Sequence, residues 1–291
     1  MRSWTLVILL LPLGGCPSER PAASPFDDTG FRRLPPPGPS DWLAVHEESG
    51  MDFDAYVASN PLRAGEDGTF LAILPVGPFG PEERQVLDRS AEFCASWFDL
   101  PVRTLPGEPL PGDGWHRDRP WGRQYRTDYF LRRLLPRLLP EDAVALFGVT
   151  MADLYPDDSW NFVFGQASYR GGVAVWSFLR YFAAFDGQPD TAGTRRLALL
   201  RAVKLVVHEA GHVFGLPHCI EYECVMNGSN SLDEADGRPL ALCPPCLRKL
   251  AWNRGFDILA RYSRLAALAG TCGLAAEADW FAARAAALRP R

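Results

Sequence analysis

Uninterrupted apolar runs and runs with helical spacing alternate along this chain. "TFLAILPVG" (residues 69–77) and "DAVALFGVT" (142–150) are short and almost wholly apolar, as strands covered on both faces are. "VRTLP" (102–106), "WNFVFGQA" (160–167) and "GVAVWSFLRYF" (172–182) predict three more strands. Between them, "PEERQVLDRSAEFCASWFD" (81–99) opens on a proline and two acids and sets Val86, Phe93 and Trp97 at helical spacing, the signature of a helix start and its buried face. "GRQYRTDYFLRRLLPRLL" (122–139) also reads as a helix, kinked or ended by Pro136. A long helix follows in "TRRLALLRAVKLVVHEAGHVFG" (194–215), with Leu197, Leu200, Val203, Val207, Ala210 and Phe214 close to one face. Ser40 caps a short helix and turn, and the Ala- and Leu-rich tail from residue 247 predicts helix in two pieces, broken around residues 270–273. This order predicts an α/β (α+β) domain with a twisted, mostly parallel sheet.

With 291 residues, 47% of them hydrophobic, the chain can bury a core in one large domain or two small ones. A formal net charge of −5 lacks the basic footprint of a nucleic-acid binder, so no nucleic-acid partner is expected. Arg117, Arg119, Arg123, Arg126, Arg132, Arg133 and Arg137 are dense locally, but the aspartates among them point to a solvated helix face. At the start, Arg2 precedes an apolar stretch over residues 4–11, far short of the roughly 20 residues that span a bilayer and sized for a secretory signal. Its end, Leu13-Gly14-Gly15-Cys16, resembles a bacterial lipobox. That predicts a signal peptide over residues 1–15 and a lipid anchor on the Cys16 thiol, with several acyl chains for firm attachment. Pro17, Pro21, Pro25, Pro35, Pro36, Pro37 and Pro39 make residues 16–40 read as an extended tether. A lipid-anchored protein of the bacterial envelope is therefore expected, facing the outer membrane, since Pro17 replaces the aspartate that retains lipoproteins at the inner one.

The chemistry concentrates in "HEAGHVFGLPHC" (208–219). On a helix, residues four apart lie on one face, so His208 and His212 can point two imidazoles at one ion. Gly215 can end the helix in the left-handed conformation and Pro217 forbids its continuation, which returns His218 as a third ligand. Three imidazoles leave a tetrahedral zinc one open position, the form of a catalytic site. Glu209, rotated off the ligand axis, can reach a water there and serve as general base and acid. Met226, in "CVMNGSN", follows at the distance of a methionine turn and would form an apolar floor under the imidazoles. His46 and His116 fall in no pattern.

Cys219 and Cys224 are spaced C-x4-C, and "CPPC" adds Cys243 and Cys246. Two such pairs suit a closed, structural zinc site of four thiolates, giving two zinc ions per chain. Two disulfides or a redox-active CPPC pair are the alternatives. Cys94 lies among apolar helix residues and reads as a buried thiol, with Cys272 as a conceivable partner.

Residues 208–246 resemble the archaemetzincin (archaelysin) family of metzincin zinc metallopeptidases, which joins this histidine motif to four cysteines in this order. "DLYP" (153–156), "NFVFGQA" (161–167), "CLRKL" (246–250) and "DWLAVHEESG" (41–50) extend the likeness. The resemblance implies a zincin-like fold over residues 41–291, with an upper subdomain to about residue 215 and a small zinc-stapled C-terminal subdomain. It implies that Asn161, Phe162, Val163, Phe164 and Gly165 form an antiparallel edge strand for an extended peptide. It implies a monomeric endo- or aminopeptidase acting on peptide or protein substrates; the alternative is an envelope peptide-binding protein that keeps the zinc sites for shape.

Overall fold

The two apolar runs pair in parallel at the middle of a five-stranded sheet, where Phe70, Leu71, Ala72, Ile73, Leu146 and Phe147 are almost fully excluded from solvent. The computed structural model describes residues 24–65, 68–168 and 171–289, so Cys16 and the expected signal peptide lie outside the described residues. In chain order come α1 (Trp42–Val45), α2 (Phe53–Ala58), β1 (Phe70–Val76), α3 (Pro81–Phe98), β2 (Val102–Thr104), β3 (His116–Arg119) and β4 (Gly122–Arg126). Then follow α4 (Thr127–Tyr129), a π-helical turn (Phe130–Leu134), α5 (Leu135–Leu138), β5 (Ala143–Thr150), β6 (Asp153–Tyr155), β7 (Gly165–Ser168) and β8 (Val173–Ser177). After two 3-10 turns come α6 (Ala192–Val213), α7 (Leu232–Asp236), α8 (Pro244–Arg254), α9 (Ile258–Thr271) and α10 (Ala275–Ala287).

The main sheet has the order β2-β1-β5-β8-β7. All neighbours are parallel except β7, which runs antiparallel to β8 at the edge. Alternate residues of a strand face opposite sides: Leu71 and Ile73 join the core under α3 and α6, while Phe70, Ala72 and Leu74 pack with Phe130 and Leu135 on the other face. The C-terminal helices lock onto the end of α3. Arg254 Nε and Arg261 Nε donate to the carbonyls of Phe98 and Trp97, at 3.0 and 2.7 Å, placing cations where the helix dipole is negative. Arg261 is buried, its guanidinium 4.4 Å from the centroid of the Trp97 ring.

Five expectations are corrected. Residues 122–126 are a strand, not helix: β4 pairs with β3 and β6 in a second, three-stranded sheet, and the helical turns begin only at Thr127. The arginine cluster is thereby divided between this hairpin and the turns after it, and Arg117 is not solvated but donates to the Trp160 and Asn161 carbonyls. On α6 the covered residues include Ala198, Leu199, Ala202 and Val206, whereas Leu197 is 38% exposed; the helix is enclosed on a broad arc, so one stripe does not describe it. The tail has a second break at Gly255, whose φ of +68° closes α8. Over its described part, residues 24–40, the expected tether is docked on the domain. Leu34 N and Glu223 N bond across to Glu221 O and Arg32 O, and Phe31 meets Trp280 edge-on at 5.7 Å.

Candidate active site

α6 starts with a capping box, Thr191 and Thr194 each satisfying the other's backbone amide, and past its C-cap Phe214 the chain turns at Gly215 with φ +77°. A side chain at Gly215 would also strike Pro61, 2.7 Å away, so the turn that returns His218 needs glycine on two counts. The three histidines are thus assembled as the spacing predicted, with ligand atoms within 4.8 Å of one another.

Each imidazole is turned by a bond from its other nitrogen. His208 Nδ1 donates to Val225 O at 2.8 Å, His212 Nδ1 to Leu216 O at 2.7 Å, and His218 Nδ1 to Glu48 Oε1 at 2.6 Å. With Nδ1 protonated, each Nε2 presents a lone pair. The Nε2 atoms of His208 and His212 lie 3.0 Å apart, close to the roughly 3.3 Å that two nitrogens about 2.0 Å from one tetrahedral zinc would show. Burial, reinforced by His218, holds His208 down to about 3; burial and the other two imidazoles hold His212 well below the usual histidine range. Neutral imidazoles with converging lone pairs are what a metal requires.

Glu209 is 8% exposed. Burial pushes its carboxyl up to about 8; a divalent cation beside it acts in the opposite sense. It packs against the backbone of Gly165, where a Cβ would lie 3.0 Å from Glu209 Oε1. Met226 is fully buried beneath α6, and a Cβ on Gly211 would stand 2.7 Å from its sulfur.

The four cysteines also converge. Cys219, Cys224, Cys243 and Cys246 are buried, with sulfurs within 4.8 Å of one another and those of Cys219 and Cys243 3.5 Å apart. Sulfurs about 2.3 Å from a tetrahedral zinc stand roughly 3.8 Å apart, so the set fits that ion. All four are free thiols, as are Cys94 and Cys272. Hydrogen bonds from Cys224, Cys243 and Cys246 pull the Cys219 thiol down, while burial pushes Cys224 up. A cation held by four sulfurs would displace the protons they carry, since thiolates are the ligating form. The amides of Met226 and Cys243 point at the Cys224 sulfur, at 3.5 and 3.4 Å.

Of the expected edge-strand residues, only Gly165 belongs to β7. Residues 161–164 lead into it with backbone bonds at three of the four: Asn161 O accepts from Gln124 and Arg117, Val163 N donates to Leu154 O, and Phe164 O accepts from Ser177 N. Two site residues lie in stretches that the sequence singles out, but no spacing assigns them a role. Glu48 lies 170 positions before His218. Asn227, buried after Met226, donates to Cys219 O and Tyr222 O and accepts from Cys224 N, tying the methionine turn to the first cysteine pair.

A mostly parallel sheet with an antiparallel edge, above a helix carrying H-E-x-x-H-x-x-G-x-x-H and a methionine floor, defines the metzincin class of zinc peptidases. Comparison with known proteins narrows this. The profile of peptidase family M54 matches residues 136–252. Archaemetzincin-2 of Homo sapiens is 36% identical over 260 residues, covering 78% of this chain and 71% of that protein. Archaemetzincin of Pyrococcus furiosus is 35% identical over 189 residues, covering 64% of this chain and 94% of that protein. The crystal structure of archaemetzincin from Methanopyrus kandleri superposes with a TM-score of 0.52 at 31% identity, covering 66% of this chain and 99% of that one. The chain belongs to the archaemetzincin family, and it is a zinc-dependent peptidase.

Proposed function

We propose that His208, His212 and His218 hold the catalytic zinc, that Glu209 is general base and acid, and that the four cysteines hold a second, structural zinc. The observation that carries this reading is the shared orientation of the three imidazoles: each donates its Nδ1–H to an acceptor outside the cluster and leaves Nε2 free to face inward. When bound, zinc supplies a Lewis acid that polarises the scissile carbonyl and lowers the pKa of a water from 15.7 to about 7. Glu209 takes a proton from the attacking water and returns it to the nitrogen of the departing amine. Among the described residues β7 has a strand partner on one side only, so an extended peptide is aligned by adding there as a further antiparallel strand. The peptidase acts as a monomer, anchored by lipid on Cys16 to the outer membrane of a bacterial envelope.

The test is Glu209→Gln, which keeps the reach of the side chain but cannot take a proton. Elemental analysis is expected to return two zinc ions per chain for both forms. Cleavage of a peptide library is expected to fall at least a hundredfold, at the lower end of what general acid–base catalysis supplies, about 10²- to 10⁴-fold. Equal cleavage by both forms overturns the role of Glu209. A zinc-loaded wild type that binds extended peptides and cuts none overturns the catalytic reading.

A further inference from the structure

We propose that Glu48, supplied by the N-terminal segment, is a positioning residue for the catalytic metal, fixing His218 in the tautomer and ring orientation that bind zinc. This rests on the assignment of His218 as a zinc ligand. The Glu48 carboxylate accepts from His218 Nδ1 at 2.6 Å and, on the same oxygen, from Trp42 Nε1 at 2.8 Å. His208 and His212 are oriented by backbone carbonyls of the loops that follow them. His218 stands on an irregular turn after Pro217 and is oriented by a side chain from elsewhere. A carboxylate on the outer nitrogen of a metal-bound imidazole fixes its orientation and makes the ring a stronger base.

Glu48 is itself held in place. The Trp42 indole meets His218 edge-on at 5.1 Å and carries His46 stacked on it at 3.9 Å. It rests on the backbone of Gly228, where a Cβ would lie 2.5 Å from the ring. The Trp42 amide donates to both oxygens of Glu234, at 3.1 and 3.2 Å, and Asn230 N donates to the same carboxylate at 2.8 Å. Asn230 Nδ2 reaches back to Ser40 O at 3.2 Å. The N-terminal segment is thus sewn to the loop after the methionine turn, and it presents Glu48, 23% exposed, to His218.

The test measures zinc affinity at the two sites separately, by chelator competition on the full mature chain, with His212→Ala identifying the histidine-site transition. Glu48→Ala is expected to weaken zinc at the histidine site by about 10- to 100-fold, the usual effect of losing such a partner, with the cysteine-site affinity and the melting temperature of the metal-free protein unchanged. Glu48→Gln retains an acceptor without the charge, whose bonds are roughly half as strong, and is expected to fall between. Excess zinc is expected to restore turnover in Glu48→Ala. Unchanged affinity at the histidine site overturns the proposal. Equal weakening of both sites with a lower metal-free melting temperature also overturns it, by showing a structural role only. If His212→Ala loses no zinc, the assignment of the histidine site fails instead.

Discussion

Gly211 sits in the active-site helix between Glu209 and His212, and the structure gives a reason for a residue that a helix interior disfavours. Replacing it with alanine sets two effects against each other. Helix propensity favours alanine over glycine by about 1 kcal/mol. Against this, the new Cβ would stand 2.7 Å from Met226 Sδ and 3.0 Å from its Cε, well inside the roughly 3.5–4.0 Å of a relaxed contact. Met226 is fully buried, so the sulfur has nowhere open to go, and overpacking of this kind costs about 1–3 kcal/mol. The sum is a net loss of about 0–2 kcal/mol, at about 2–4 °C per kcal/mol for a domain of this size. In a Met226→Ala background the sign reverses: the Cβ enters the space the thioether left, and Gly211→Ala then stabilises by about 1 kcal/mol or more. The cycle is read from thermal unfolding of all four metal-free proteins, with a coupling of about 1–3 kcal/mol expected. If Gly211→Ala has the same effect in both backgrounds, the methionine floor does not press on α6 and the reasoning is wrong.

Gly165→Ala would place a Cβ 3.0 Å from Glu209 Oε1; kcat is expected to fall about tenfold to hundredfold, the scale of a small misplacement of a reacting group, with zinc content constant, and an unchanged kcat would sink the contact. Cys243→Ser removes one of four buried sulfurs; zinc content is expected to drop by one ion and the melting temperature to fall, whereas full zinc content would contradict the second site. Cys16→Ser is expected to move the protein from membrane to soluble fractions on cell fractionation, and a variant that stays with the membrane refutes the lipid anchor.

What the sequence made legible was what depends on neighbours along the chain. Four-residue spacing on a helix brings His208 and His212 together, a glycine and a proline bring His218 back, and paired cysteines meet because both pairs lie near that turn. Apolar runs disclosed β1 and β5, since strands buried on both faces need no alternation. The strand Gly122–Arg126 was hidden because the leucines after it carry a helical period, and its ladder depends on β3 and β6. The start of β7 was hidden too. "NFVFGQA" is apolar enough to be strand throughout, but backbone bonds to Gln124, Arg117 and Leu154 hold its first residues outside the edge ladder. Glu48 falls in a stretch that resembles the family, yet its role was hidden for a different reason: a carboxylate gains its meaning only from a partner that folding alone brings near.

The three imidazoles are therefore set by three separate pieces of the chain, and this changes what the cysteine site does. Val225, whose carbonyl orients His208, lies between Cys224 and Met226, and its own amide bonds to Ala241 O, two residues before Cys243. Met226 O accepts from Cys219 N at 2.8 Å, and the Asn227 amide binds Cys219 and Tyr222 together. The loop that the cysteines gather is thus the same loop that turns His208 and floors α6. On the proposed assignment, a structural zinc that merely stapled the C-terminal helices would affect stability before it touched the chemistry. The observed bonding joins the two: loosening the cysteine cluster frees the Val225 carbonyl and Met226 at once. Cys243→Ser is then expected to weaken zinc at the histidines as well as to lower the melting temperature. Glu48 bonds His218 and neither Val225 nor Met226, so its loss is expected to act on His218 and leave the loop in place.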